Sequence, residues 1–302
     1  MIFYMAYLFQ AFKTISKTLR TSSEFFKNTP TTGLHINASG DKIKLIDLYA
    51  HNVIVDILKK NRFVGYISEE QDDIHFFNRK KDGILVAFDP IDGSKNIDSN
   101  INVGTIYTFL QYSAKEDKIV KVIEAGYCLY GFSTIALRAN DGGVRLYTLN
   151  EDNHFEQSKI ITKLGDEKIY STNESYSDDI NKEYKQLLNY YKSKKYNQRW
   201  VGCMVADCHQ TIIRGGFFMY LTTLMRPKGK LRLFYEAVPF SFIFSKLGGV
   251  GVDENHKDII ELAKTIEITK TPLHRTTSLI LASKKDQQEI KTYIKSIQDE
   301  KT

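Results

Sequence analysis

Near the N-terminus the apolar residues Phe9, Phe12, Ile15 and Leu19 recur at helical spacing, which predicts a helix ending near Arg20 with one buried stripe. A polar stretch containing Pro30 and Gly33 leads to Asn37-Ala-Ser-Gly-Asp41. A second helix is expected from Lys42 to Lys59, with Ile43, Ile46, Val53, Ile54 and Ile57 on one side. Asp41 is placed to cap its start. The pattern then changes to runs rich in β-branched and aromatic residues. Strands are expected over Phe63 to Ser68, Gly83 to Phe88 and Thr105 to Tyr112, then a hairpin over Ala125 to Ala139 and a strand over Val144 to Leu149.

Beyond a polar segment, Lys168 to Thr172 reads as a strand and Asp178 to Lys195 as a long helix with tyrosines on its apolar side. A helix over Ala206 to Arg214, a strand over Phe217 to Thr222 and a helix over Glu236 to Leu247 follow, the last stopped by Gly248 and Gly249. Leu279 to Ser283 forms a final buried strand before a charged C-terminal helix. Helices and strands alternate without a strict period, which predicts a layered α/β (α+β) architecture. Two lobes are expected, 1–163 and 164–302.

Length and charge narrow this picture a little. The 302 residues exceed one small core and suffice for two packed lobes. A net charge of +6 suits any anionic partner and selects none. The densest basic run, Lys192 to Lys195, lies in a polar helix without a nucleic-acid motif, so it reads as a solvated face and no nucleic-acid partner is expected. The three cysteines show no CxxC or His-partnered spacing, which argues against disulfides or a zinc site and for reduced thiols in a cytoplasmic protein. No apolar run approaches the roughly 20 residues that span a bilayer, and no membrane partner is expected. The N-terminal apolar run precedes Lys13, Lys17 and Arg20, the reverse of a secretory signal. Its freedom from acids before Glu24 would suit a mitochondrial presequence, but the stripe favours a structural helix.

The segment Ile84-Leu-Val-Ala-Phe-Asp89-Pro90-Ile91-Asp92-Gly93-Ser94 carries the most chemical information. An apolar strand ends at a carboxylate, proline stops the ladder, and a second carboxylate follows. Gly93 permits a sharp turn, and its amide with that of Ser94 can face an anion. Two hard oxygen ligands beside backbone donors suit a divalent cation gripping a phosphate. Alone, the pattern is equally that of an acidic turn. Taken singly, Glu69 and Glu70 read as a solvated loop and Asp41 and Asp47 as a helix cap and a helix face, while Glu236, following the apolar run Leu233-Phe-Tyr235, reads as a partnered carboxylate or a helix-start acid.

Together these residues match one family. Asp89-Pro-Ile-Asp-Gly-Ser-Lys-Asn-Ile-Asp98 with Val103-Gly-Thr-Ile106 resembles the signature of class I fructose-1,6-bisphosphatases. In the same order come Asn37 to Asp41, Ser68-Glu-Glu70, Ala125 to Gly131, Ile169 to Glu174, Arg199 to Asp207 and Gly229 to Glu236. The resemblance implies a two-lobed αβαβα sandwich and a phosphatase requiring Mg²⁺ or Mn²⁺, with Zn²⁺ able to displace them by affinity. It implies that Glu69, Asp89, Asp92 and Glu236 hold metals with the Ile91 carbonyl, Asp41 lying nearby. Asp47 and Glu70 would orient and deprotonate the attacking water, and Arg232 with the amides near Gly93 and Ser94 would steady the phosphoryl group. Asn173, Tyr176, Tyr220 and Lys230 would bind the sugar and its second phosphate. Arg199 would reach that phosphate from a neighbouring subunit of a homodimer or homotetramer.

Departures from the family pattern carry expectations too. The chain starts close to the first helix, and Gly83-Ile84 stands where the family has Lys-Tyr, so weak or absent AMP inhibition is expected. The turn Ser113 to Lys121 is short and lacks cysteine, so thioredoxin control is not expected. Lys95 replaces a small hydroxyl residue, Ser175 a glycine and Cys203 a small residue. The competing readings are a sedoheptulose-1,7-bisphosphatase, a more distant inositol-phosphatase relative, and a sugar-phosphate binder without turnover.

Overall fold

The computed structural model describes residues 4–21 and 44–299; Asp41 with the rest of Asn37 to Asp41, and Ile43, lie outside the described residues. Helix α1 (Tyr4–Thr21) buries Met5, Leu8, Ala11, Phe12, Ile15 and Ser16. The buried stripe is rotated from the expected one: Phe12 and Ile15 face inward, while Phe9 and Leu19 flank it half-buried, Phe9 stacking on Phe155 with centroids 4.6 Å apart. Helix α2 (Leu45–Lys59) starts later than its apolar pattern suggests. The Lys44 amide donates to Asp47 Oδ2 (2.9 Å), so Asp47 serves the helix start.

Strands β1 (Gly65–Ser68), β2 (His75–Phe76), β3 (Gly83–Asp92), β4 (Val103–Ser113), β5 (Lys118–Tyr130), β6 (Thr134–Asn140), β7 (Gly143–Leu149) and β8 (Phe155–Ile161) form one sheet. Their order is β2-β1-β3-β4-β5-β6-β7-β8, and only the β1–β3 pairing is parallel. The hairpin expected over 125–139 is present as β5 and β6. Strand β8 left no alternation to read because nearly all of its residues are exposed.

Side chains alternate across this sheet. Leu85, Ala87, Ile106, Tyr127 and Leu137 enter a core shared with the C-terminal half. Val86, Phe88, Tyr107, Phe109 and Ala136 pack against α1 and α2.

The remaining chain supplies β9 (Ile169–Ser171), α3 (Lys182–Ser193), β10 (Asn197–Gln198), α4 (Met204–Arg214), β11 (Phe217–Tyr220) and β12 (Leu231–Arg232). After these come α5 (Val238–Lys246), β13 (Gly249–Val252), α6 (Ile259–Lys264), β14 (Thr276–Thr277), β15 (Leu279–Ser283) and α7 (Lys284–Asp299). A second sheet has the order β10-β9-β11-β15-β13, and β12 pairs with β14 apart from it. Helix α3 is shorter than expected because Asn181 caps it, accepting the Glu183 amide at 2.8 Å. Its Tyr184 and Tyr191 are buried, and Lys192 to Lys195 are exposed.

Val205 and Ile212 of α4, Phe240 and Phe244 of α5 and Ile259 of α6 share one apolar cluster with residues of both sheets. Helices α3 and α7 cover the far face of the second sheet through Leu187, Tyr191, Ile290 and Ile294. The layers therefore run α1/α2, first sheet, α4 to α6, second sheet, α3/α7, the αβαβα stack expected from the motifs. Cys128, Cys203 and Cys208 are free and buried. No described helix is long and apolar enough to cross a membrane.

Candidate metal centre and active site

The Asp-Pro pair predicts that the β3 ladder stops at Asp89, and it does not. Asp89 pairs with Ile106 and Asp92 with Gly104, so three steps on β3 face two on β4. The extra residue is a β-bulge at Pro90-Ile91, where proline is tolerated because a bulged residue need not supply a ladder N–H. In a regular strand, residues three apart point to opposite faces. The bulge restores the parity, so Asp89 and Asp92 project to the same side, toward the layer that contains α4. Thr105 Oγ1 donates to Pro90 O (2.8 Å) and lies 2.8 Å from Tyr130 Oη, which pins the bulge from beneath.

Glu236 arrives from the other half of the chain on a π-helical turn, Leu233–Ala237, and its carboxylate accepts the Arg232 amide. Carboxylate oxygens of Asp89, Asp92 and Glu236 lie within 4.8 Å of one another. The parallel pairing of β1 with β3 sets Ser68 opposite Phe88, so Glu69, just past the end of β1, lies beside Asp89. Glu70 follows, and Asp47 approaches from the first turn of α2 closely enough to raise the Glu70 pKa. The Ser94 side chain hydrogen-bonds Asp47, and Ser94 O accepts from Lys44 Nζ (3.1 Å).

Crowded burial dominates the electrostatics. Burial, with Glu69 adding, raises Asp47 to about 7. Burial, then Asp47 and Glu69, raises Glu70 to about 9. Burial, then Glu69, raises Glu236 to about 8. Asp89 is pushed well above the carboxylate range by burial, then by Glu69, Asp92 and Glu236. Burial also raises Asp92, opposed by amides at the start of α4.

Asp89 Oδ1 and Glu70 Oε2 are buried and without a hydrogen-bond partner. Orphaned anionic oxygens in a set containing only oxygen donors fit hard divalent cations such as Mg²⁺ or Mn²⁺.

The first turn of α4 holds the far oxygen of Asp92. Oδ2 accepts the Val205 amide at 2.6 Å and the Cys203 thiol at 3.0 Å. Gly93 has φ +76°, and a Cβ there would stand 2.7 Å from Cys203 Cβ, so the turn after Asp92 admits only glycine.

Asn173, Tyr176 and Tyr220 line one small pocket with Thr172 and Ile180, and Lys230 Nζ sits 5.5 Å from the centroid of the Tyr220 ring. Buried Arg232 donates to Lys230 O, which joins this pocket to the carboxylate cluster. Ile91 is buried in the bulge. Arg199 is exposed and does not line the pocket. Lys95 and Ser175 are exposed, and the Ser175 hydroxyl donates to Asn173 Oδ1 (2.6 Å).

Several contributors escaped the sequence reading. His274 bridges Gln71 and Tyr235, Val205 lends an amide to Asp92, and His51 Nδ1 meets Ser68 Oγ at 2.8 Å. No local pattern marks the Val205 or His274 bonds, because the partners are far apart in sequence. Cys203 was visible only as a departure from the family pattern.

Two family models match the chain. "Fructose-1-6-bisphosphatase, N-terminal domain" matches residues 2–159, and "Fructose-1-6-bisphosphatase, C-terminal domain" matches 164–295. Fructose-1,6-bisphosphatase 1 of Bos taurus is 33% identical over 272 residues, which cover 83% of this chain and 77% of the relative. The class 1 fructose-1,6-bisphosphatase of Acinetobacter baumannii strain SDF is 32% identical over 311 residues, covering 95% and 94%. Among solved structures, Leishmania major fructose-1,6-bisphosphatase in holo form matches with TM-score 0.85 and 27% identity, over 96% of this chain and 92% of that one.

Proposed function

The chain belongs to the fructose-1,6-bisphosphatase family, and we propose that it hydrolyses the 1-phosphate of fructose 1,6-bisphosphate to fructose 6-phosphate and phosphate, serving carbohydrate metabolism and gluconeogenesis. The observation that carries the reading is the convergence of Asp89, Asp92 and Glu236 within 4.8 Å, next to a buried arginine and the pocket lined by Asn173, Tyr176 and Tyr220.

Glu69, Asp89, Asp92, Glu236 and the Ile91 carbonyl would hold divalent cations, Mg²⁺ or Mn²⁺ by donor hardness, with Asp41 as a further acid outside the described residues. Such cations, when bound, lower the pKa of water and neutralise charge on the phosphoryl group and the leaving oxygen. Asp47 and Glu70 share the task of orienting the attacking water and taking its proton. Their proximity, evident in the effect of Asp47 on Glu70, lets one carboxylate hold the proton while the other accepts a hydrogen bond. Arg232 and the amides at Gly93 and Ser94 offset the negative charge on the equatorial oxygens during in-line transfer. Asn173, Tyr176, Tyr220 and Lys230 bind the sugar and its second phosphate. Exposed Arg199 extends to that phosphate in a neighbouring subunit of a homodimer or homotetramer. The lobes divide near Leu164, and the free thiols suit a cytoplasmic location.

The test is phosphate release from fructose 1,6-bisphosphate, sedoheptulose 1,7-bisphosphate and inositol monophosphate, with Mg²⁺ and with chelator. Magnesium-dependent turnover fastest on the fructose ester is expected. Binding of that ester without phosphate release in Mg²⁺ would remove the proposal.

A further inference from the structure

His274 lies outside the carboxylate cluster, yet both of its ring nitrogens are engaged between the two chain segments that build it. Nε2 is 2.8 Å from Gln71 O, and Nδ1 is 2.7 Å from Tyr235 Oη. A carbonyl can only accept, so Nε2 carries a proton; burial lowers the His274 pKa and keeps the ring neutral, so the bare Nδ1 lone pair accepts the tyrosine O–H. The ring is therefore held in one neutral tautomer with its donor aimed one way and its acceptor the other. It has no nitrogen left to ligate a cation or relay a proton.

Each end of this bridge leads directly to a carboxylate. Gln71 directly follows Glu69 and Glu70, and its amide closes their turn by donating to Ser68 O (3.3 Å). Tyr235 is fully buried and immediately precedes Glu236 in the π-helical turn. His274 itself belongs to the Glu236 side. Leu233 N donates to Arg275 O (2.9 Å), and β12 pairs with β14 through Leu231–Thr277 and Arg232–Thr276. The His274–Gln71 bond therefore crosses from that side to the Glu69–Glu70 turn, 203 residues away in sequence. The two segments bring like charges together, and carboxylate repulsion acts to separate them.

We infer that His274 is a positioning residue that clamps the Glu69–Glu70 turn to the π-helical turn bearing Glu236, holding the separation across which divalent cations bind. The inference rests on the cation-binding reading of those carboxylates. It assigns His274 a role through Gln71 and Tyr235, without contact to substrate.

The experiment is titration of the metal-free protein with Mn²⁺, followed by electron paramagnetic resonance, alongside thermal melting in chelator. His274→Asn keeps an acceptor for Tyr235 and loses the reach to Gln71. His274→Gln keeps a donor for Gln71 and loses the acceptor, and Tyr235→Phe removes the hydroxyl. Each is expected to weaken Mn²⁺ binding about tenfold, the scale seen for groups that orient metal ligands. Breaking either half releases the clamp, so adding Tyr235→Phe to His274→Gln is expected to weaken binding little further. The substrate KM and the chelator melting temperature are expected to stay near wild type. Unchanged Mn²⁺ affinity in His274→Asn and Tyr235→Phe would overturn the inference, as would an affinity loss matched by lower stability in chelator. A wild-type protein that binds no Mn²⁺ defeats the cation reading itself, which is a different result.

Discussion

Asp92→Asn separates what the carboxylate cluster does for catalysis from what it does to stability. Asp92 Oδ2 accepts the Val205 amide and the Cys203 thiol, so an asparagine oxygen can keep both bonds only by turning its NH₂ toward Asp89 and Glu236. A donor then replaces an acceptor where a cation would bind, and turnover should vanish. The metal-free protein should respond in the opposite sense. Two ionised carboxylates 4.8 Å apart repel by about 3.5 kcal/mol at an effective dielectric of about 20. Proton uptake already relieves part of this, as the elevation of Glu236 to about 8 indicates. A neutral acceptor also serves the Val205 amide less well than an anion. With the neighbouring carboxylates ionised at alkaline pH, a net gain of about 2 kcal/mol remains, equivalent to a rise in Tm on the order of 5 °C.

The pH dependence follows from the sign of the Glu236 shift. Its folded-state pKa lies above the unfolded value, so its contribution is full below 4.5 and lost as pH rises to about 8. Removing the Asp92 charge lessens that loss, and the advantage of the variant should grow across the same window. Differential scanning calorimetry in chelator, paired with phosphate release in Mg²⁺, reads both effects. Near-wild-type turnover, or a metal-free variant that melts below wild type at alkaline pH, would refute the reasoning.

Three further outcomes are expected. Glu124 is buried, accepts the Met5 amide (2.7 Å) and the Asn140 side-chain amide (3.1 Å), and burial raises it from 4.5 to about 7. Its stabilising contribution is therefore full below 4.5 and lost by about pH 7. The loss is about 3 kcal/mol, at roughly 1.4 kcal/mol per pH unit. Glu124→Gln should flatten that part of the urea-stability profile, and a difference from wild type that does not vary with pH would contradict it. At Gly104 an added Cβ would stand 2.7 Å from Val205 Cβ. Gly104→Ala should therefore displace the start of α4, destabilise the fold by about 1–3 kcal/mol and weaken Mn²⁺ binding in the same titration. Gly83 and Ile84 offer no cationic or hydroxyl side chain, so AMP should inhibit phosphate release weakly or not at all, and inhibition at low AMP would contradict that.

The layered α/β class and the main helices and strands could be named from the chain alone, and the acids that form the cluster through their resemblance to the family signature. Periodicity in residues such as Leu85 to Phe88 and Tyr184 to Tyr191 is local, and so is the Asp-Pro-Ile-Asp-Gly-Ser motif. Elements whose residues are mostly exposed or too short to show a period, β8 and β10 among them, were not visible in that way. Nor was the π-helical turn that carries Glu236, which a helix beginning at that residue would not have produced. Whether Asp89 and Asp92 point the same way was undecided by their spacing, because a regular strand sets residues three apart on opposite faces. Pairing with β4 decided it, by forcing a bulge into β3. The partners that hold the cluster were likewise settled by packing: Val205 lies 113 residues from Asp92, and His274 lies 203 from Gln71. Side-chain identity and local rhythm specify which groups are present and which element each rides on. Register and distant contact specify which way they face and what restrains them, and those depend on the whole chain folding together.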